Sequence, residues 1–473
     1  MATKRDQLQA HQFLVQRAVS ALVTRETDPE QPPFRRPTTF AFVGIGLALI
    51  SLVATGVYGL ISPGGDRTWR DGKSVIVERE TGTRYVYLNG KLHPVENYAS
   101  ALLALGQHSG TARISRNSLA GVPRGPRIGI RDAPDALADR RRLLSGGWTL
   151  CSKPATDVTG ATVYRSALLV GQEPAAGLEL GARGMLVHVP GTTENFLIFN
   201  GYRHRVSEAD AVTVGLALRP APVFPVAAAV VEMVPLGKPI GPIAVPDAGK
   251  PSTAVPSRPD LRAGQLLVMT TPGGAVQHFL AETDRLRPIT SLQFDVQLAY
   301  QPTTAAYDGR EPFGMPLSPL AAAEAKQEQA PPAVPDNPPA TRPEFADGPG
   351  ANVVCLTFDP GSFTPRLRAN PALPPDDAMM ATPRRTDGGV ALADQILVPP
   401  GTGAVIEVMS SSNADVGTLA VVTDLGKAYP LAGPDVLGVL GYADFRPVRM
   451  PASLVARLPH GPGLDPDAAM RQW

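Results

Sequence analysis

The sequence predicts an α+β chain with one membrane-crossing helix near its start, followed by an exported body of four hairpin-and-helix repeats around a central β-rich domain. Three observations carry this. The stretch TTFAFVGIGLALISLVATGVYGLI holds no charged residue anywhere between Arg36 and Asp66. Pro 50 and Gly 46 in 473 residues exceed the usual share, which favours turns, short strands and extended connectors over long helices. One pattern of strand, turn, strand and helix recurs four times.

The first element is a helix. Thr3 and Asp6 have the spacing of a capping box, and Leu8, Gln12, Val15, Val19 and Leu22 form one stripe at helical spacing, flanked by Arg5 and Arg17. A helix with such a stripe and no domain beside it needs a protein partner or a membrane surface. The apolar part of the next element, Phe40 to Ile61, spans about 33 Å as a helix, enough for a hydrocarbon core of about 30 Å. A cleaved signal peptide fits poorly, because the run starts some forty residues in and ends in Ser-Pro-Gly-Gly without a small-x-small site. Lys4, Arg5, Arg17, Arg25, Arg35 and Arg36 precede the span, so the N-terminus should be cytoplasmic and the remainder outside. VFPVAAAVVEMVPL is too short for a second span and holds Glu232 between Pro225 and Pro235.

The repeat emerges when YVYLNGKLHPVENYASALLAL is set beside LIFNGYRHRVSEADAVTVGLAL, FLAETDRLRPITSLQFDVQLAY and VVTDLGKAYPLAGPDVLGVLGY. Gly90, Gly201, Asp284 and Gly426 occupy the turn, where a positive φ is expected, and Val95, Val206, Ile289 and Leu431 close the second strand. The period then becomes helical: Ser207 to Asp210 reads as a capping box, followed by Val212 and Leu216, while Leu102 and Leu105 serve the first copy. Pro123-Arg-Gly125, Pro235-Leu-Gly237, Pro312-Phe-Gly314 and Pro459-His-Gly461 mark the end of each unit, 35, 36, 30 and 35 residues after the turn. VHVPG, MTTPGG and VPPGTG add a strand and turn before copies two, three and four.

The turns are 111, 83 and 142 residues apart, so the two long gaps must house something besides the repeat, and each contains one of the two cysteines, Cys151 and Cys355. A central domain built from both gaps follows. Outside the membrane, an even cysteine pair points to a disulfide, with two buried free thiols as the alternative. AAAEAKQEQAPPAVPDNPPATRPEFADGPG has few apolar anchors and should be an extended or mobile linker. The division expected is 1–38 cytoplasmic helix and basic flank, 39–61 transmembrane helix, 70–128 repeat 1, 129–185 central domain, 186–245 repeat 2, 262–320 repeat 3, 321–388 Pro-rich linker and second central part, 389–466 repeat 4 and 467–473 tail.

Lys+Arg 44 against Asp+Glu 43, with no basic tract and few aromatics, leaves no footprint for nucleic acid. Catalytic motifs are equally scarce. Gly72-Lys73-Ser74 is the nearest approach to a phosphate-binding loop, but Gly64 and Gly65 stand seven and eight residues before Gly72 rather than five. His11, His93, His108, His188, His204, His278 and His460 show no paired metal spacing, and His93 and His204 fill equivalent repeat positions. With no G-x-S-x-G elbow and scattered carboxylates, no catalytic, cofactor-binding or metal residue is assigned.

The order of parts resembles the EccB component of the ESX (type VII) secretion systems of mycobacteria and other actinobacteria. The whole chain shares the likeness, and TKRDQLQAHQFLVQRAVSAL followed by DPEQPPFRRP is its most specific piece. The resemblance implies an elongated, propeller-like body with a bonded Cys151–Cys355 pair, placed on the periplasmic side of the inner membrane. It implies a structural core subunit in the export of WxG-motif and PE/PPE-type proteins, self-associated and joined to an EccC-type ATPase, EccD, EccE and a mycosin protease. The family has been credited with ATPase activity, which makes an exported ATP-binding subunit the alternative.

Overall fold

The computed structural model describes residues 3–25, 35–61, 67–346, 350 and 352–472. The chain divides into two compact units, one formed by Met1–Asp71, Glu78–Gly82 and Arg113–Val122, the other by the rest. The first unit holds the two long helices, Lys4–Thr24 and Arg35–Ile61. Asp6 Oδ2 accepts from the Thr3 N–H at 2.9 Å and the Thr3 hydroxyl at 2.7 Å, closing the expected capping box, and Arg25 ends the helix at φ 60°. In the same unit the buried Glu78 carboxylate pairs with Arg116 at 2.9 Å, and Arg79 Nε donates to the Arg113 carbonyl at 3.0 Å. The expected Ser62–Gly65 exit from the membrane lies outside the described residues.

Four sheets of four strands share one order, third-second-first-fourth along the chain. The first comprises Val75–Glu78, Arg84–Leu88, Lys91–Pro94 and Thr111–Ile114; the second Met185–His188, Asn195–Phe199, Tyr202–Arg205 and Val223–Pro225. The third comprises Leu266–Thr270, Val276–Ala281, Leu286–Ile289 and Gly314–Pro316; the fourth Gly403–Met409, Thr418–Thr423, Ala428–Pro430 and Val448–Pro451. Between third and fourth strands stand the helices Tyr98–Leu105, Ala209–Gly215, Ser291–Ala299 and Asp435–Val439. Such a connection lets the fourth strand return parallel to the first, as it does in the second, third and fourth sheets.

A fifth, seven-stranded sheet mixes strands from the two long gaps: Trp148–Thr156, Thr162–Leu169 and Leu178–Glu179 from one, Val354–Phe358, Arg366–Ala369, Met380–Ala381 and Gln395–Leu397 from the other. Strand alternation sets what touches what. Ala404 and Ile406 share a core with Trp148, Leu150 and Phe358 of the seven-stranded sheet, whereas the intervening Val405 faces Val86, Leu102 and Leu103 of the first sheet and its helix. In the same core Val187 and Ile198 of the second sheet join Trp148, while Val212 and Leu216 pack against Leu292 and Val296 of the helix Ser291–Ala299. Packing therefore joins the first sheet to the fourth, the fourth and the second to the seven-stranded sheet, and the second to the helix of the third, an order different from that of the chain.

Four local expectations need correction. Asn89-Gly90 and Asn200-Gly201 form turns with all four φ values positive (49° and 78° in each), and Gly426 has φ 66°, but Asp284 is not in that region. A looser turn closes there, Glu282 N–H donating to the Arg285 carbonyl at 2.9 Å, so no left-handed residue is needed. The Ser207–Asp210 capping box does not form; Glu208, at φ 52°, is the N-cap, and the Ser207 N–H donates to the Ile240 carbonyl at 2.9 Å instead. In the fourth sheet, VPPGTG connects a strand of the seven-stranded sheet to Gly403 rather than following a first strand, and the first sheet has its own first strand, Val75–Glu78. Finally, the segment read as a linker is docked: Leu286 N–H donates to the Lys326 carbonyl at 2.7 Å, Lys238 N–H to Asp336 at 2.9 Å, Leu292 N–H to Ala340 at 3.0 Å and Gly184 N–H to Glu344 at 2.8 Å. It donates in return through the N–H groups of Lys326, Glu328 and Ala346, while its prolines have none to offer.

Candidate functional site

The stripe on the N-terminal helix is solvent-facing over most of its length: Leu8 is 58% exposed, Val15 48% and Leu22 84%, with Gln12 exposed and Val19 half-buried. Phe13 and Leu14 are bare as well, and the Arg17 guanidinium lies over the Phe13 ring. A helix of 21 residues with this much apolar surface in water is not self-sufficient, since most helical stability comes from packing. The following helix has a 20-residue stretch, Thr39–Tyr58, long and apolar enough to cross a membrane, with none of it buried by the protein.

The end marks turn out to be parts of a lock. Pro123 and Gly125 bracket Leu92 of the outer strand by backbone bonds, the Leu92 N–H donating to the Pro123 carbonyl and the Gly125 N–H to the Leu92 carbonyl, both at 2.9 Å. Pro235 and Gly237 do the same to Arg203, and Pro459 and Gly461 to Ala428. The next residue of each strand carries a ring that lies on the glycine. A Cβ on Gly125 would stand 2.2 Å from the His93 ring, on Gly237 2.5 Å from His204, and on Gly461 2.2 Å from Tyr429. The third copy overturns the expected mark: Lys326 and Glu328, not Pro312 and Gly314, bracket Leu286, and Gly314 instead lies in the fourth strand. There Glu328 replaces glycine and Arg287 replaces the ring, joined at 3.0 Å. Sequence reasoning found the Pro-x-Gly strings and the paired histidines separately; their joint occurrence about thirty residues apart was the signal that could have linked them.

His204 is wholly buried, its Nδ1 2.7 Å from the Lys238 carbonyl and its Nε2 without a partner. Burial pushes its pKa below the ordinary histidine value, against the pull of that carbonyl. His278 and His460 are lowered by burial too. A base whose folded pKa is depressed contributes stability above its unfolded pKa and loses it as pH falls below that value, about 6.5. The melting temperature should therefore fall between pH 7 and pH 5, and His204→Gln should flatten part of that slope; an unchanged slope would contradict the burial argument.

Cys151 and Cys355 stand opposite each other in register on the antiparallel strands Trp148–Thr156 and Val354–Phe358, fully buried, with their sulfurs bonded. Nearby, Arg366 holds Asp359 below the usual carboxylate range and also pairs with Glu173, a cluster the sequence did not announce. Gly90, Gly201, Asp284 and Gly426 sit at separate hairpin tips and build no common site. Gly72, at φ 70°, and Lys73-Ser74 lead straight into the strand Val75–Glu78, whereas a phosphate-binding loop must open a helix whose N-terminal amides meet the phosphates. Gly64 and Gly65 lie outside the described residues. Among the described residues no group of His, Cys, Asp and Glu has the geometry to hold a metal ion.

The parts define a class: a chain with, among its described residues, one helix fit to cross a bilayer, a 21-residue helix with an exposed apolar stripe before it, and four-stranded sheets of one strand order packed with a disulfide-bonded seven-stranded sheet. It belongs to the EccB family, the family model described as type VII secretion system ESX-1, transport TM domain B, matching residues 1–473. Among curated relatives, the ESX-2 secretion system ATPase EccB2 of Mycobacterium tuberculosis is 27% identical over 99% of this chain and 94% of its own. The ESX-3 secretion system ATPase EccB3 of Mycolicibacterium smegmatis is 24% identical over 97% of this chain and 89% of its own. The fold is similar to a chain in an intact ESX-5 inner membrane complex, with TM-score 0.66 and 23% identity over 100% of this chain and 95% of that one. It is also similar to the EccB3 dimer from the ESX-3 core complex, with TM-score 0.63 and 22% identity over 84% of this chain and 100% of that one.

Proposed function

We propose that the chain is a structural core subunit of an ESX type VII inner-membrane complex, supporting export of WxG-motif and PE/PPE-type proteins. Membership of the EccB family over the entire length is the observation that carries this reading. The helix at 39–61 anchors the subunit in the inner membrane with its N-terminus cytoplasmic, and the body is periplasmic, in keeping with the cations before the span. The four like-ordered sheets are copies of one module, divided as the sequence indicates, and form an elongated, propeller-like scaffold around the seven-stranded sheet. Its partners are other copies of itself, an EccC-type ATPase, EccD, EccE and a mycosin protease. The bare stripe Leu8, Gln12, Val15, Val19 and Leu22 is where the cytoplasmic contact is made.

Relatives named as ATPases favour a second reading, an ATP-binding subunit of the same system. The strand that follows Lys73-Ser74 weighs against it. Deleting residues 3–25 tests the scaffold. The truncated chain should keep the melting temperature of the body yet be lost from the large detergent-extracted assembly; normal assembly would refute the role given to the helix.

A further inference from the structure

Between the second and third sheets lies a cavity of about 550 Å³, a volume in the usual range of small-ligand sites. Its walls are Phe199, Ile240 and Leu292, and its roof is Pro331, Val334 and Pro335. The roof is fastened at both ends, where the Glu328 N–H donates to the Leu286 carbonyl at 2.8 Å and the Asp336 carbonyl accepts from Lys238 at 2.9 Å. Prolines 331, 332 and 335 have no N–H to offer, so the span between can cross the opening as an extended strip without joining a sheet.

Asn200, Lys238, Thr290, Gln293 and Asn337 interrupt the apolar lining, and two of them are placed in a particular way. Lys238 is exposed at the rim, and its Nζ donates to the neutral Asn337 Oδ1 at 2.7 Å rather than to a carboxylate. Gln293 gives its Oε1 to the Thr290 N–H at 3.1 Å, which leaves the amide hydrogens of Nε2 for another acceptor. A single ammonium with an amide donor in the same lining suits a monoanion with two acceptor oxygens, and the apolar walls suit a hydrocarbon.

We propose that this cavity binds a single-chain aliphatic carboxylate, its head at Lys238 Nζ and Gln293 Nε2 and its chain beneath the proline roof. The head stays at the wet rim while the chain leaves water, which is the arrangement that makes both interactions favourable.

The full chain, in nanodiscs of zwitterionic lipid, is irradiated with decanoate carrying a diazirine at its far end, and labelled peptides are mapped. Saturable labelling within residues 331–340, competed by plain decanoate and well above that from the matching alcohol probe, is expected. Lys238→Gln should reduce it about tenfold, and Val334→Trp, which fills the cavity from an exposed position, should remove it while leaving the melting temperature unchanged. Labelling confined to the Thr39–Tyr58 helix, equal labelling by the alcohol, or indifference to Lys238→Gln would each overturn the assignment.

Discussion

Replacing both cysteines by alanine, Cys151→Ala with Cys355→Ala, is expected to destabilise the body by about 2–5 kcal/mol. The bond joins residues 204 apart in sequence, so in the unfolded chain it closes a very long loop. In the folded chain it joins neighbouring strands that are already hydrogen-bonded, Cys355 opposite Cys151 and Leu356 opposite Leu150, so it adds little new contact. Its contribution is therefore mainly a restriction of the unfolded state, in the chain-entropy view. The location decides how the loss spreads. Leu150 and Leu356 share one core with Met185 and Val187 of the second sheet and with Ala404 and Ile406 of the fourth, whereas Leu267 and Phe279 of the third sheet belong to another. Hydrogen exchange should accelerate in Trp148–Thr156, Val354–Phe358, Met185–His188 and Gly403–Met409 before it does in the third sheet. A variant that melts with the native protein would remove the bond from any stabilising role.

How far the sequence could be followed depended on how local each cause was. The Asn-Gly turns at 89–90 and 200–201 were legible because a positive φ at two successive residues is a local demand that few residues meet. Asp284 misled because the alignment supplied a turn where the chain had spare residues for a looser one. The uneven gaps disclosed that something stood between the copies. They did not disclose that the first sheet and its helix pack on the fourth, since Leu103 meeting Leu437 is a matter of shape across more than three hundred residues. The segment around 326–346 was misjudged because a scarcity of apolar side chains was taken for a lack of attachment, whereas this stretch is attached through backbone hydrogen bonds. On the N-terminal helix the capping box and stripe could both be derived; the partner could not, because among the described residues Leu8, Val15 and Leu22 of that stripe stay exposed.

Gly461→Ala is expected to cost about 1–3 kcal/mol through steric conflict. An added Cβ would lie 2.2 Å from Tyr429 Cε1 and 2.3 Å from Cδ1, well inside contact distance, and the ring cannot easily withdraw because Tyr429 is only 4% exposed. Backbone freedom is not at issue, since Gly461 does not occupy the left-handed region. Tyr429→Ala alone should cost about 3–5 kcal/mol, a lost buried ring. In the double variant the new methyl enters the space that the ring vacates, so the combined loss should be smaller than the sum by about 1–3 kcal/mol, as expected for residues in direct contact. The third copy shows why this coupling is the right test: where glycine is replaced by Glu328, the ring is replaced by Arg287, and the pair meets at 3.0 Å. Because Tyr429 packs with Val86, Leu102 and Leu103, the damage should appear where the first sheet meets the fourth. Strictly additive losses in thermal unfolding would mean that glycine and ring are independent, and the lock would have to be abandoned.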